Sequence, residues 1–278
     1  MGKPIPKIIH YCWFGGNPLP ELAIRCLNSW KKYCPDYEIK QWDESNFDIG
    51  CCAYVREAYN EKKWAFVSDY ARFWILYHYG GVYFDTDVEV IKPIDELVNR
   101  GSFMGKEKAA NKNSANLTIA PGLGLAANPG LGIYKEILDY YKTQHFLNAD
   151  GDQNLKTVVT RVTELLEKYG YQGNNGIEVV KDIYIYPPDY LCPKDYDTGK
   201  LVITPNTYSI HHYTASWHTK EEERIYFIYK WLNTILGQSV GKVLTRPLYI
   251  GLAIHRKIAK YGLLKTFELC REKIKTKI

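Results

Sequence analysis

Apolar positions along the chain alternate between the continuous runs of buried strands and the three-to-four spacing of helices. Ile5 to Cys12 is apolar enough for a strand covered on both faces, as a parallel sheet requires. Leu19 to Cys34 places Leu22, Cys26, Leu27 and Trp30 on one helical stripe, with Pro20 tolerated in the first turn and Pro35 as the stop. Tyr37 to Trp42 predicts a second strand and Cys52 to Lys63 a shorter helix. Trp64 to Tyr79 predicts a mostly buried helix in which Asp69 and Arg72 interrupt the apolar residues, and Gly80-Gly81 ends it. The strand, helix, strand, helix order predicts right-handed parallel crossovers in an α/β layer, with ligands expected beyond the carboxyl ends of its strands.

Further on, Val82-Tyr83-Phe84 is β-prone, Pro93 marks a turn, and Ile94 to Arg100 predicts a short helix. Residues 111–116 are polar and predict a loop, so Lys106 to Thr118 is taken as a connecting segment. Thr118 to Ala127 predicts a strand with close backbone approaches at Pro121, Gly122 and Gly124. Helices are expected over Leu131 to Tyr141 and Leu155 to Tyr169, a single strand over Val179 to Tyr186, and extended chain over Thr207 to His211. Asp152 and Gln153 either contact sugar or cap a helix. Lys220 to Leu236 and Arg246 to Lys277 predict helices joined through Gly237 to Gly241. The expected organisation is a domain over residues 1–219 and a basic amphipathic helical extension over residues 220–278.

Composition narrows the class. Over 278 residues, 46% hydrophobic and 24% charged content is globular, and no run reaches the roughly 18 uncharged apolar residues of a membrane span. The apolar stretch before Trp13 is too short for a signal peptide. Seven cysteines, an odd number without a C-x-x-C pair, suit a reducing compartment, so a cytoplasmic location is expected. Net charge is +5, but the stretch from Lys220 onward carries 13 Lys and Arg against 5 Asp and Glu, leaving residues 1–219 negative. Those basic helices either pack on the domain through Tyr226, Trp231, Leu248 and Phe267 or lie against anionic lipid. No nucleic-acid partner is expected.

The chemistry concentrates in Ser68 to Val90. Asp69 and Arg72 are three residues apart on a helix and share a face. In an extended chain Asp85 and Asp87 point the same way, and two close carboxylates repel unless a cation lies between them, so a hard divalent metal is the natural occupant. His211-His212 follows a strand, and imidazole suits manganese. Strand alternation puts His211 and His212 on opposite faces, so that only one of them can face such a site. Trp13 either packs in the core or faces a ligand where the first strand leaves the sheet.

Ser68-Asp69-x-x-Arg72 with Gly80-Gly81-Val82-Tyr83-x-Asp85-x-Asp87 resembles the family 32-like glycosyltransferases related to yeast initiating mannosyltransferases and bacterial capsule-synthesis enzymes. It is more distantly similar to the glucosylating domains of clostridial toxins. The resemblance runs from about Pro4 to Trp217. It implies a GT-A nucleotide-diphospho-sugar transferase fold, a Rossmann-like mixed α/β sheet followed by the helical extension. It also implies a retaining hexosyltransferase that uses Mn2+ or Mg2+ held by Asp85, Asp87 and His212. Trp13 would stack on the donor base, Asp69 and Arg72 would bind the donor sugar with Tyr83 nearby, and Ser216 and Trp217 would lie near the phosphates or sugar. The donor is expected to be UDP-galactose or UDP-glucose, with GDP-mannose as the alternative. The acceptor is expected to be a glycan or lipid-linked saccharide in capsule or surface polysaccharide synthesis, with peripheral contact on the cytoplasmic face of the membrane. The rivals are a metal-dependent phosphodiesterase and a non-catalytic nucleotide-sugar binding protein.

Overall fold

In the computed structural model, which describes residues 4–108, 116–149, 151–196, 198–214 and 220–267, the chain begins β1 (Ile8–Cys12), α1 (Glu21–Tyr33), β2 (Glu38–Trp42), α2 (Ala53–Asn60) and α3 (Trp64–Tyr79). It continues with β3 (Gly81–Tyr83), β4 (Val88–Val90), α4 (Asp95–Arg100), β5 (Phe103–Lys108), β6 (Leu117–Ile119), β7 (Leu125–Ala127) and α5 (Gly132–Lys142). Then come α6 (Val158–Glu167), β8 (Glu178–Val180), β9 (Ile183–Tyr186), α7 (Pro188–Leu191) and β10 (Ser209–His211), and finally α8 (Lys220–Leu236) and α9 (Gln238–Tyr261). Two compact units result, one ending at Thr214 and one beginning at Ala215.

The first unit is built on a mixed sheet in the order β2-β1-β3-β7-β5-β9-β8, with β6 beside β5. β1 is parallel to β2 and β3, the crossovers the sequence predicts, whereas β3 is antiparallel to β7, and β7 to β5. One core joins α2, α3, α5 and α6 to the sheet through Val67, Phe73, Leu76 and Tyr134. A second packs Trp30, Val82, Phe84, Val88 and Phe103. β4 leaves the main sheet and pairs antiparallel with β10.

Three expectations change. The segment from Lys106 is not a connecting loop, because β5 runs to Lys108 in the middle of the sheet. Its charges hide it: Lys106 is fully buried, donating at 2.7 Å to both Glu178 Oε1 and Asn174 O. The strand expected over 179–186 is a hairpin, β8 and β9, turned at Lys181 and Asp182 with φ of 51° and 62°, the two left-handed residues a tight hairpin needs. The strand expected over 118–127 is two strands, β6 and β7, on either side of Pro121 to Gly124.

The boundary that positions the chemistry lies where the sequence puts it. α3 closes with Gly80 N–H on Leu76 O at 2.9 Å, and Gly80 and Gly81 take φ of 66° and 96°, conformations that a side chain would strain. A Cβ on Gly81 would come within 2.7 Å of Ile8 O, so glycine here also lets β3 enter the ladder beside β1.

Candidate active site

α3 and β3 meet at the site in opposite directions. From α3, Arg72 Nη2 donates to Asp69 Oδ1 at 3.1 Å, the pair that the three-residue spacing predicts, and Arg72 Nε donates to Ser68 O at 3.0 Å. Both Asp69 and Arg72 are buried. The guanidinium continues to Asp85, with Nη2 3.3 Å from Oδ1 and Nη1 3.4 Å from Oδ2, a two-point pairing that orients the carboxylate. Tyr83, buried on β3, donates its hydroxyl to Asp85 Oδ1 at 3.0 Å while its ring lies 4.9 Å from the guanidinium carbon. Burial pushes the Asp69 carboxyl up to about 7 despite the opposing pull of Arg72.

Asp85 and Asp87 lie on a turn, closed by Val88 N–H on Asp85 O at 3.0 Å, and not on the extended chain expected from alternation. The turn forms because the chain must pivot from β3 into the separate β4–β10 pair. Its far side is anchored by α1, where Trp30 Nε1 donates to Val88 O at 2.7 Å and Ser29 Oγ accepts Val90 N–H at 3.0 Å. Its near side meets Gly122, whose carbonyl accepts Asp85 N–H at 3.2 Å and where a Cβ would lie 2.1 Å from Asp85 Oδ2. The glycine expected to mark a close approach thus makes room for the carboxylate itself.

Asp87 has different partners. His211 Nε2 lies 3.1 Å from Oδ1, and Thr214 donates to Oδ2 from its backbone N–H at 2.9 Å and its hydroxyl at 3.0 Å. Burial pushes the Asp87 carboxyl up, but His211 and the Thr214 donors outweigh it and hold it well below the usual carboxylate range. The histidine assignment is therefore corrected. His212 Nε2 is 2.7 Å from Glu89 Oε2, so His211 is the imidazole beside Asp87 and His212 faces away from it. Alternation correctly puts the two rings on opposite faces, but which face is which follows from the pairing of His211 with Val88, a register no local pattern specifies.

Trp13 sits at the carboxyl end of β1, half-buried, with its indole donating to Asn17 O at 2.6 Å and its backbone N–H to Trp42 O at 2.8 Å. The loop it opens borders a cleft of about 630 Å³ lined by Gly15, Gly16, Asn17, Glu44, Tyr59, Lys62 and Trp64. Ser216 and Trp217 lie outside the described residues. Of the expected set, Asp69, Arg72, Tyr83 and Asp85 form one hydrogen-bonded cluster, and Asp87 stands on the same turn. Among the described residues, no three His, Cys, Asp or Glu side chains converge as a ready metal cage. Two hard carboxylates on one turn suit instead a cation that takes one or two protein carboxylates and completes its shell with substrate phosphates.

A parallel β-α-β layer opens into a mixed sheet, with an Asp-x-Asp turn where a core strand leaves it, a mixed α/β sheet as expected from the motif. Residues 20–104, which hold Asp69, Arg72, Tyr83, Asp85 and Asp87, match the glycosyltransferase sugar-binding region containing DXD motif. The chain is similar to inositol phosphoceramide mannosyltransferase 1 of Schizosaccharomyces pombe (strain 972 / ATCC 24843), 32% identical over 113 residues that cover 37% of this chain and 34% of that one. It is also similar to inositol phosphoceramide mannosyltransferase 3 of the same organism, 30% identical over 126 residues covering 42% and 34% respectively. The matched stretch thus spans about a third of the length of these curated relatives. Among solved structures it is similar to PaToxG Glycosyltransferase, at 20% identity and a TM-score of 0.44, covering 60% of this chain and 70% of that one.

Proposed function

We propose that the chain transfers a hexose, with retention, from a nucleotide diphosphate sugar to a glycan or lipid-linked saccharide, using Mn2+ or Mg2+ at the Asp85–Asp87 turn. The observation that carries this reading is the convergence of Arg72 and Tyr83 on Asp85 behind that turn, within the segment that matches the DXD class. When bound there, the cation supplies a fixed counter-charge for the departing nucleotide diphosphate. Arg72 and Tyr83 hold Asp85 in place before substrate arrives, and His211 and Thr214 do the same for Asp87. Asp69, oriented by Arg72, accepts hydrogen bonds from donor-sugar hydroxyls. Trp13 stacks on the base; retention follows from the resemblance to family 32-like enzymes. His211, paired with Asp87, orients that carboxylate and is not itself a ligand.

Two donors stand against each other. The matched relatives are named mannosyltransferases, which favours a mannosyl nucleotide, while the Trp13-Phe14-Gly15-Gly16 stretch resembles UDP-sugar users and favours UDP-galactose or UDP-glucose. A role in capsule or surface polysaccharide synthesis, at the cytoplasmic face of the membrane, fits a lipid-linked acceptor. The test is slow donor hydrolysis with Mn2+ across UDP-, GDP- and dTDP-sugars, with Asp87→Ala as the control. Metal-dependent hydrolysis of one donor, lost in the folded variant, is expected. Turnover by folded Asp87→Ala at the wild-type rate would remove the metal assignment, and no response to any nucleotide-sugar would count against the class.

A further inference from the structure

Tyr213 is a bulky residue in the left-handed region, with φ of 56°. Such a conformation costs free energy and persists only where the surroundings over-determine it. Here they do so from three sides. The Tyr213 hydroxyl donates to Glu107 Oε2 at 2.8 Å, and having given its only proton it accepts from Cys192 Sγ at 2.8 Å. Its ring meets the His211 imidazole edge-on, centroids 4.3 Å apart, and the Tyr196 ring at 5.0 Å. Glu107 is carried by β5, where it pairs with Thr118 of β6, so the acceptor stands on the sheet. Cys192 is buried just after α7.

The consequence falls on Asp87. The residues on either side of the left-handed kink are the ones that reach this aspartate: His211 Nε2 to Oδ1 before it, Thr214 N–H and hydroxyl to Oδ2 after it, and His212 N–H to the Asp87 carbonyl at 3.0 Å. With an ordinary extended residue at 213 the chain would run straight on from β10, and His211 and Thr214 could not both turn onto one carboxylate. We infer that Glu107, Tyr213 and Cys192 form a latch that holds residues 211–214 in the kink from which His211 and Thr214 orient the second aspartate of the cation site. Glu107 and Tyr213 are positioning residues. Their effect on cation binding rests on the metal assignment made above, whereas their effect on the backbone at Thr214 does not.

The experiment uses the full chain and two readouts: amide hydrogen exchange at His212 and Thr214, and Mn2+ affinity measured with the metal alone through the free-ion resonance signal. Tyr213→Phe and Glu107→Leu are each expected to speed Thr214 exchange about tenfold with β1 amides unchanged. Each is also expected to weaken Mn2+ binding about tenfold, the lower end of the loss when a group that orients a metal ligand is removed. The double variant is expected to be no worse than either single one, because both remove the same bond. Glu107→Gln is expected to stay near wild type, since its amide oxygen still accepts the tyrosine hydroxyl. Unchanged Thr214 exchange in folded Tyr213→Phe, or a loss in Glu107→Gln equal to that in Glu107→Leu, overturns the latch. Should the wild-type chain bind no Mn2+, the cation assignment falls while the exchange readout still decides the latch.

Discussion

Asp85 has a carboxylate position defined to within the space left by one missing methyl. Arg72 and Tyr83 pull it from one side, and Gly122 lies so close on the other that a Cβ there would sit 2.1 Å from Oδ2. Gly122→Ala is therefore expected to push the carboxylate off its partners and lower donor hydrolysis at least about a hundredfold, because a misplacement of about 1 Å costs that much in a positioned site. Circular dichroism should still report a folded chain, since Gly122 is on a loop with φ in the ordinary range. Near-wild-type turnover in folded Gly122→Ala would mean that the Asp85 position set by Arg72, Tyr83 and Gly122 is not the working one. The sequence marked Gly122 as a close backbone approach; that the neighbour is the Asp85 carboxylate, on a turn far away in the chain, is tertiary information.

At the scale of elements, His10 joins three of them. On β1 and fully buried, it accepts the Trp42 indole N–H of β2 on Nδ1 at 3.0 Å, and so donates from Nε2 to Gly80 O at the end of α3 at 3.0 Å. Both ring nitrogens are used by the neutral form, and burial lowers the imidazole to about 4. The unfolded chain binds a proton below its ordinary value of about 6.5 and the folded chain does not until about 4, so stability rises with pH across that window and is lost as pH falls through it. The His10 contribution amounts to on the order of 3 kcal/mol. Chemical denaturation of His10→Gln at pH 7 and pH 4.5 is expected to show a smaller fall on acidification than wild type; an equal fall would assign the acid sensitivity to other groups. The α3 boundary was legible because a helix stop is local, written in Gly80-Gly81. β5 was not, because Gly105-Lys106-Glu107 carries the polarity of a loop, and only pairing with Glu178 from another strand lets Lys106 be buried.

Across the whole molecule, the chain divides into two compact units at Thr214 and Ala215, and the basic excess of the sequence lies from Lys220 onward. No helix among the described residues is long and apolar enough to cross a membrane. α9 exposes Val243, Leu244, Leu248 and Ile250 on a helix that also carries Lys242 and Arg246, a composition suited to lying in a lipid interface. The chain is expected to cosediment with vesicles containing anionic phospholipid and to be released as salt rises, because surface charges are screened over about 10 Å at 0.1 M. Binding that ignores lipid charge and salt would reject an electrostatic attachment.

The sequence by itself determined what depends on neighbours in the chain. It set α3 and its stop at Gly80-Gly81, the Asp69–Arg72 pair at one helical spacing, the parallel β1–β2 and β1–β3 crossovers, and the Asp-x-Asp motif that marks the class. Tertiary structure decided what depends on register and on distant approach. The β4–β10 pairing, not local pattern, brings His211 to Asp87 and sends His212 to Glu89. The kink at Tyr213 is affordable only because Glu107 and Cys192, from two other parts of the chain, are there to hold it. Short-range spacing encodes which groups share a face; which face meets which partner is settled only when the strands find their register.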